Sequence, residues 1–159
     1  MKAATVSQLK KELSYRSPEE LLELCLRLSK FKKENKELLT YLLFESIDEA
    51  EYIQNIKDEL DLEFKNINTK NFFYIKKSVR KILRKIKKYS RYSLKKETEA
   101  ELLLFFCSKL KDFKPSIKKN TTLLNLYYRE LGAVKKIISG LHEDLQFDYQ
   151  REIEELAKF

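Results

Sequence analysis

Apolar residues recur every three or four positions along almost the whole chain, which is the spacing of one face of an α-helix. Glycine and proline, which sheets and their turns use heavily, occur only twice each in 159 residues. The pattern therefore predicts an all-α protein of about seven to eight helices. The clearest apolar stripe lies in the middle of the chain and consists of Phe72, Ile75, Val79, Ile82, Leu83, Ile86 and Tyr89.

Start signals divide the first third of the chain into helices. Ser17 followed by Pro18 and two glutamates predicts a helix start, and the apolar residues of this helix are expected to point inward. A further helix over roughly residues 35–45 is apolar on nearly all sides, so we expect it to be central. The residues expected to point inward from the helix that begins near Pro18 are Leu21, Leu24, Cys25, Leu28 and Phe31.

Two serines provide start signals for later helices. Ser46, with Glu49 three positions on, predicts a capping box, and Ser93 predicts the N-cap of another helix. The helix after Ser93 contains the consecutive apolar run Leu102–Phe106. An uninterrupted apolar run in a helix indicates burial on more than one side.

The two halves of the chain resemble each other. At an offset of 82 residues, Leu22 falls on Leu104, together with most of the apolar positions around it. We interpret this as an internal quasi-repeat, 18–66 and 99–157, within a single all-α domain that covers residues 1–159. Helical units that bury a shared core by stacking favour an α–α superhelix, and an irregular up-down helical bundle is the alternative.

The quasi-repeat makes a prediction about the two glycines. After a short insertion the offset becomes 85 residues, so Gly132 falls on Ile47 and Gly140 falls on Asn55. Ile47 lies at a predicted helix junction, whereas Asn55 lies inside a predicted helix. We therefore expect a helix break near Gly132 and a continuous helix through Gly140.

Positive charge is concentrated in one segment. No Asp or Glu occurs between Phe64 and Lys96, and this segment holds 13 of the 33 Lys and Arg residues. The other 20 basic residues face 25 acidic ones, so the rest of the chain has a net charge of −5 although the whole chain has +8. The apolar stripe in this segment predicts a basic helix over about residues 71–92, with Asn71 as its N-cap, between the two repeat units.

Three interpretations of the basic helix remain open. Its charges pair with the acidic helix in residues 45–63 as the flanks of an antiparallel hairpin, or they bind the phosphates of a nucleic acid through residues 70–96. In the third interpretation they face an acidic protein partner or an anionic membrane surface. The candidate anion- or nucleic-acid-binding residues are Lys77, Lys81, Arg84, Lys88 and Arg91.

Aromatic residues flank the cationic ones. Phe73, Tyr74 and Tyr92 lie off the apolar stripe of the basic helix. Nucleic-acid bases can stack on such rings, and packing at the rim of the core is the other interpretation.

The chain lacks the residue sets that catalysis and cofactors require. His142 is the only histidine, so neither a histidine metal site nor a nucleophile–histidine pair has support. We expect His142 at a surface or a helix edge. No glycine-rich phosphate loop is present, and we expect no enzymatic activity, no catalytic residue, no metal and no cofactor.

Cysteine usage and hydropathy indicate a cytoplasmic protein. Cys25 and Cys107 are expected to be small buried residues in a reducing compartment. No apolar run reaches the ~18 residues that a membrane span requires, and the first residues lack the apolar core of a signal peptide.

Two motifs resemble uncharacterised bacterial all-α proteins. The first is LLTYLLFE at residues 38–45, within the run Ser17–Glu45, and the second is LHEDLQ at residues 141–146. The resemblance covers less than half of the chain. It implies an α–α superhelix and no particular activity or site.

The sequence therefore favours a non-enzymatic helical interaction or scaffold module. The alternative is a nucleic-acid-binding accessory protein that uses the basic helix. The partner is another protein in the first case and a nucleic acid in the second, and the oligomeric state stays open.

Overall fold

A computed structural model describes all residues of the chain, 1–159, and confirms the all-α prediction, since it contains eight α-helices and no strand. Two short 3₁₀ turns, Glu45–Ile47 and Ile117–Lys119, complete the regular structure. The helices are α1 (Val6–Leu13), α2 (Pro18–Phe31), α3 (Lys33–Leu43), α4 (Glu49–Lys65), α5 (Phe72–Ser93), α6 (Lys96–Asp112), α7 (Thr121–Ser139) and α8 (Glu143–Ala157).

The chain divides into two compact units, residues 1–44 and residues 45–159. The sequence predicts one domain, and the boundary between the two units lies inside the predicted repeat unit 18–66. None of the eight helices combines the length and the apolar character that crossing a membrane requires.

The first unit consists of α1 to α3, and α2 packs against α3 as a hairpin. The predicted helix start at Ser17 is confirmed, because the Ser17 side chain accepts the backbone N–H of Glu20 while the Glu20 carboxylate accepts the N–H of Ser17. Pro18 occupies the first turn of α2. At the opposite end, the Asn35 side chain donates to the Leu28 carbonyl oxygen over 2.8 Å, which ties α3 to α2.

The predicted burial of α2 and α3 is wrong for most of their apolar side chains. Tyr41 is the only buried residue among residues 1–44, so most side chains that were expected to point inward are exposed, and α3 is not central. The physical reason is size, since a hairpin has one inner face and no further layer of helices in this unit covers its other sides. The exposed residues are Leu24, Cys25, Leu28 and Phe31 of α2 and Leu38, Leu42 and Leu43 of α3, whereas Leu21 is half-buried.

Helix α6 is the centre of the second unit, because α4, α5, α7 and α8 all contact it. The predicted burial of Leu102–Phe106 on more than one side is confirmed, since Phe105 is half-buried and the other four side chains are buried. The apolar stripe of α5 also faces inward as predicted. Its buried members are Ile75, Val79, Ile82, Leu83 and Ile86, and Phe72 and Tyr89 are half-buried.

The helix starts predicted at Ser46 and Ser93 are both wrong. Ser46 lies in a 3₁₀ turn, and Asp48 caps α4 instead, its carboxylate accepting the backbone N–H of Glu51 over 3.0 Å. Ser93 is the last residue of α5. Leu94 follows in the left-handed conformation, with φ at 59°, and α6 begins two residues later. In both cases a residue within three positions determines where the helix begins. Asp48 caps α4, and the turn at Leu94 separates α5 from α6.

The glycine prediction is also wrong. Helix α7 is continuous through Gly132 and ends at Gly140, which is its C-cap. Residues on either side of Gly132, including Leu131 and Val134, are buried, and burial of several apolar side chains outweighs the roughly 1 kcal/mol that glycine costs in a helix. The helix bounds of the two halves therefore disagree at this point, which counts against the proposed duplication.

The two cysteines have different surroundings, and both are free thiols. Cys107 is buried as predicted, and burial raises the pKa of its thiol to about 12, with Glu130 and Glu152 adding to the shift. The prediction for Cys25 is wrong, because this residue is exposed on the hairpin.

Candidate anion-binding groove

Helix α5 separates apolar from cationic side chains, because an α-helix repeats about every 3.6 residues. Asn71 caps the helix as predicted, and its side-chain oxygen accepts the backbone N–H groups of Phe73 and Tyr74 over 3.0 and 3.2 Å. The buried stripe faces the rest of the second unit, so the opposite face points to solvent. That outer face carries Lys77, Arg80, Lys81, Arg84 and Arg91, all of which are exposed.

The structure brings four of the five predicted anion-binding residues to this outer face as free cations. The fifth, Lys88, is half-buried, and its ammonium nitrogen lies 5.0 Å from the centre of the Tyr89 ring. The basic helix as a whole is therefore not paired with the acidic residues 45–63. Of the five predicted residues, those that are exposed and form no ion pair are Lys77, Lys81, Arg84 and Arg91.

Lys85 does make the predicted contact with the acidic helix. Its ammonium group lies 2.8 Å from a carboxylate oxygen of Glu59 and also contacts the Glu63 carboxylate. Burial acts to lower the pKa of Lys85, but the hydrogen bonds to the two carboxylates outweigh it and raise that pKa above its ordinary value. This contact neutralises the Lys85 flank of α5, whereas Lys77 and Arg84 on the outer face stay exposed.

A groove of about 570 Å³ lies between the outer face of α5 and the first half of α7. Arg80, Arg84 and Lys87 line it from α5, and Arg129 lines it from α7. The exposed side chains of Thr122 and Asn125 add neutral hydrogen-bonding groups.

A second cavity of about 370 Å³ continues this groove towards the start of α5. Arg80 and Arg84 line both cavities, so the two form one elongated depression that we call the basic groove. No carboxylate lines either part. The cationic residues of the basic groove are Lys76, Lys77, Arg80, Arg84, Lys87 and Arg129.

Glu130 is the only buried acidic residue in the protein, with 1% of its surface exposed. Its carboxylate lies 2.8 Å from the Arg129 guanidinium and 3.1 Å from the Lys87 ammonium group. A buried carboxylate is tolerated only when it is paired, so Glu130 requires these two cations. The two ion pairs also hold the Lys87 and Arg129 side chains at the basic groove.

Six of the eight polar residues that line the basic groove are not among the residues predicted from the sequence. Arg80 could have been found, because Phe73, Lys77, Arg80 and Arg84 already follow helical spacing. The contribution of Arg129 could not have been found, because no local pattern shows that α7 lies beside α5. The groove residues absent from the sequence prediction are Lys76, Arg80, Lys87, Thr122, Asn125 and Arg129.

His142 is an exposed N-cap residue, as the sequence predicts for a surface or helix edge. Its Nδ1 atom accepts the backbone N–H of Asp144 over 3.3 Å at the start of α8. No group of three or more His, Cys, Asp and Glu side chains is placed to hold a metal ion.

Comparisons of the chain with protein-family models, with curated proteins and with solved structures found no match. The resemblance to uncharacterised bacterial all-α proteins therefore stays a prediction.

Proposed function

We propose that the protein is a non-enzymatic nucleic-acid-binding protein whose basic groove contacts phosphates without reading the base sequence. The observation that carries this proposal is the lining of the groove, which has six cationic side chains and no carboxylate. Four of the six form no ion pair within the protein. These four are Lys76, Lys77, Arg80 and Arg84.

The chemistry of the lining suits phosphates. A guanidinium group donates two parallel hydrogen bonds to a phosphate, and neutralising phosphates releases counterions from the nucleic acid. Arg80 and Arg84 are four residues apart, so their backbone positions are about 6 Å apart along the helix axis. Contacts of this kind position a backbone and carry no sequence information.

The elongated shape of the groove favours a nucleic acid over the other anionic partners. Two adjoining cavities share Arg80 and Arg84 and extend along α5, which fits a linear polyanion with regularly spaced charges. A flat anionic membrane surface would contact the outermost lysines but would not fill a groove.

Binding should be strongly salt-dependent. If about four to six phosphates are contacted, the logarithm of the association constant is expected to fall with the logarithm of salt concentration with a slope of about −3 to −5. Fluorescence polarisation of labelled single-stranded and duplex DNA and RNA between about 50 and 200 mM salt measures this slope.

Polyglutamate of matched length is the control for the nucleic-acid interpretation. A nucleic acid should bind more tightly than polyglutamate, because the release of its condensed counterions adds to the binding free energy, whereas a guanidinium fork fits carboxylate and phosphate alike. Equal binding of polyglutamate would indicate an acidic protein partner instead. Absence of any binding of nucleic acid at the lowest salt concentration would refute the proposal.

A second candidate function is self-association through the α2–α3 hairpin, and it corresponds to the interaction module expected from the sequence. A groove of about 260 Å³ between the two helices is lined mostly by apolar side chains, with Ser29 and Asn35 as its polar members. The first half of α2 is acidic and its second half is basic, so two copies match each other's charge when their α2 helices run antiparallel. The charged residues are Glu19, Glu20 and Glu23, followed by Arg27 and Lys30.

Leu28→Glu is expected to prevent this self-association, because it places a charge in the apolar groove of both copies. Sedimentation equilibrium of the full chain from about 1 to 200 µM should show a dimer for the unaltered protein and a monomer for the variant. Leu62→Glu is the matched control, since Leu62 and Leu28 are both 60% exposed and Leu62 lies on α4. A monomeric unaltered protein, or equal effects of both substitutions, would rule out this second function.

A further inference from the structure

An exposed aromatic ring, that of Phe73, lines one end of the basic groove and is not part of the buried core. Phe73 lies in the first turn of α5, lines the smaller cavity and is 66% exposed. Burying a phenylalanine is worth roughly 2 kcal/mol or more. The Phe73 ring is not buried by the fold, so it is available to a ligand of the basic groove.

The surroundings of Phe73 leave its ring accessible. Its only ring contact is an edge-to-face one with Tyr74, with ring centres 5.5 Å apart and ring planes at 78°. Tyr74 is itself exposed. No lysine or arginine of the groove occupies the face of the Phe73 ring, although Lys76, Lys77 and Arg80 line the same cavity.

The other aromatic candidate from the sequence is placed differently. Tyr92 is half-buried at the far end of α5, and its ring lies 6.0 Å from that of Tyr89. Packing at the rim of the core, which was one of the two interpretations, therefore describes Tyr92. It does not describe Phe73 and Tyr74.

We propose that Phe73 is a stacking platform for an unpaired base, so that the basic groove binds single-stranded nucleic acid in preference to duplex. This inference rests on the proposed function, because the cations beside Phe73 have to hold the phosphates that flank the stacked base. Bases in a duplex already stack on each other, whereas bases of a single strand are free to stack on a protein ring. Stacking requires only a π-face, so the preference is for single strands and not for a sequence.

The dimensions of the site agree with this ligand. Pockets that hold small molecules have volumes of about 300–1,000 Å³, and the cavity beside Phe73 measures about 370 Å³. Lys77 follows Phe73 by four residues and Arg80 by seven, so both lie on the same side of α5 as the ring. A base on Phe73 would thus have cationic side chains directly beside its own sugar–phosphate backbone.

Three probes of equal length separate stacking from phosphate binding: a single strand of thymidines, an abasic strand with the same number of phosphates, and a duplex. Phe73→Ala is expected to weaken binding of the thymidine strand by about tenfold, within the range that stacking of one base supports. Binding of the abasic strand and of the duplex should stay unchanged. Phe147→Ala is the matched control, because Phe147 is 82% exposed on α8 and lies outside the groove.

A tryptophan variant provides a direct readout of stacking. The chain contains no tryptophan, so Phe73→Trp introduces a single fluorophore at the platform and retains an aromatic face. Its fluorescence is expected to be quenched by the thymidine strand and to be little affected by the abasic strand. Phe147→Trp should show no quenching with either probe.

The possible outcomes separate the stacking role of Phe73 from phosphate binding by the groove. Equal losses for the thymidine and abasic strands with Phe73→Ala, or no loss for either, would overturn the stacking role while leaving phosphate binding in place. Unquenched fluorescence of Phe73→Trp under conditions where the thymidine strand is bound would overturn it as well. If none of the three probes binds the unaltered protein, the phosphate-binding function and the stacking role both fall.

Discussion

Replacing Arg80 and Arg84 together by glutamate is expected to weaken nucleic-acid binding at least about 100-fold at low salt. Both side chains line both parts of the basic groove, so each substitution removes a phosphate contact and places a carboxylate where a phosphate would lie. Neither arginine forms an ion pair in the protein, so the fold should be retained. Fluorescence polarisation measures the binding, and circular dichroism checks the helical content.

The matched control for this reversal is Lys135→Glu with Lys136→Glu. These lysines are exposed on α7 outside the groove, and their reversal lowers the net charge of +8 by the same four units, to +4. This control should weaken nucleic-acid binding by about threefold or less, because it changes only the long-range electrostatic attraction. Equal losses in the two double variants would show that net charge and not the groove attracts the ligand. Unfolding of the arginine variant would show that the two side chains support the fold, contrary to their exposure in the structure.

Leu104→Ala is expected to destabilise the second unit by about 2–4 kcal/mol, whereas Leu22→Ala should change stability by less than about 0.5 kcal/mol. The quasi-repeat places these two leucines at equivalent positions, yet Leu104 is 1% exposed and Leu22 is 61% exposed. Removing a buried side chain leaves a cavity beside the neighbouring helices, and removing an exposed one leaves none.

Urea unfolding followed by circular dichroism at 222 nm measures both changes, and the midpoint gives the stability difference when the slope is unchanged. A loss of more than about 1 kcal/mol for Leu22→Ala would mean that this leucine is covered in solution, contrary to the structure. A neutral Leu104→Ala would contradict the central position of α6.

Periodicity was sufficient to predict the helices, and also that α5 has one apolar face and one cationic face. The buried stripe from Ile75 to Ile86, the Asn71 cap and the burial around Leu102–Phe106 all follow from the spacing of apolar residues and one capping side chain. These features depend on neighbours within a few residues, which the sequence displays directly. The same holds for Lys77, Lys81 and Arg84, whose exposure follows from their position opposite the stripe.

Features that depend on what covers a helix could not be predicted in this way. An apolar stripe shows which side of α2 avoids water, but it does not show whether another helix lies over Leu28 or Phe31. The same limit explains the basic groove, because Arg129 joins it only through the packing of α7 beside α5. Where two cap residues compete, as Ser46 and Asp48 do, propensity alone does not decide between them.

Glu130 has a consequence for the affinity of the basic groove. Its carboxylate already restrains the side chains of Lys87 and Arg129 beside the groove, and ordering a long cationic side chain costs up to about 2 kcal/mol of rotamer entropy. That loss occurs when the chain folds and not when a ligand arrives. The α7 end of the groove is thus preorganised, while Lys76 and Lys77 at the other end are free to adjust to whichever strand enters.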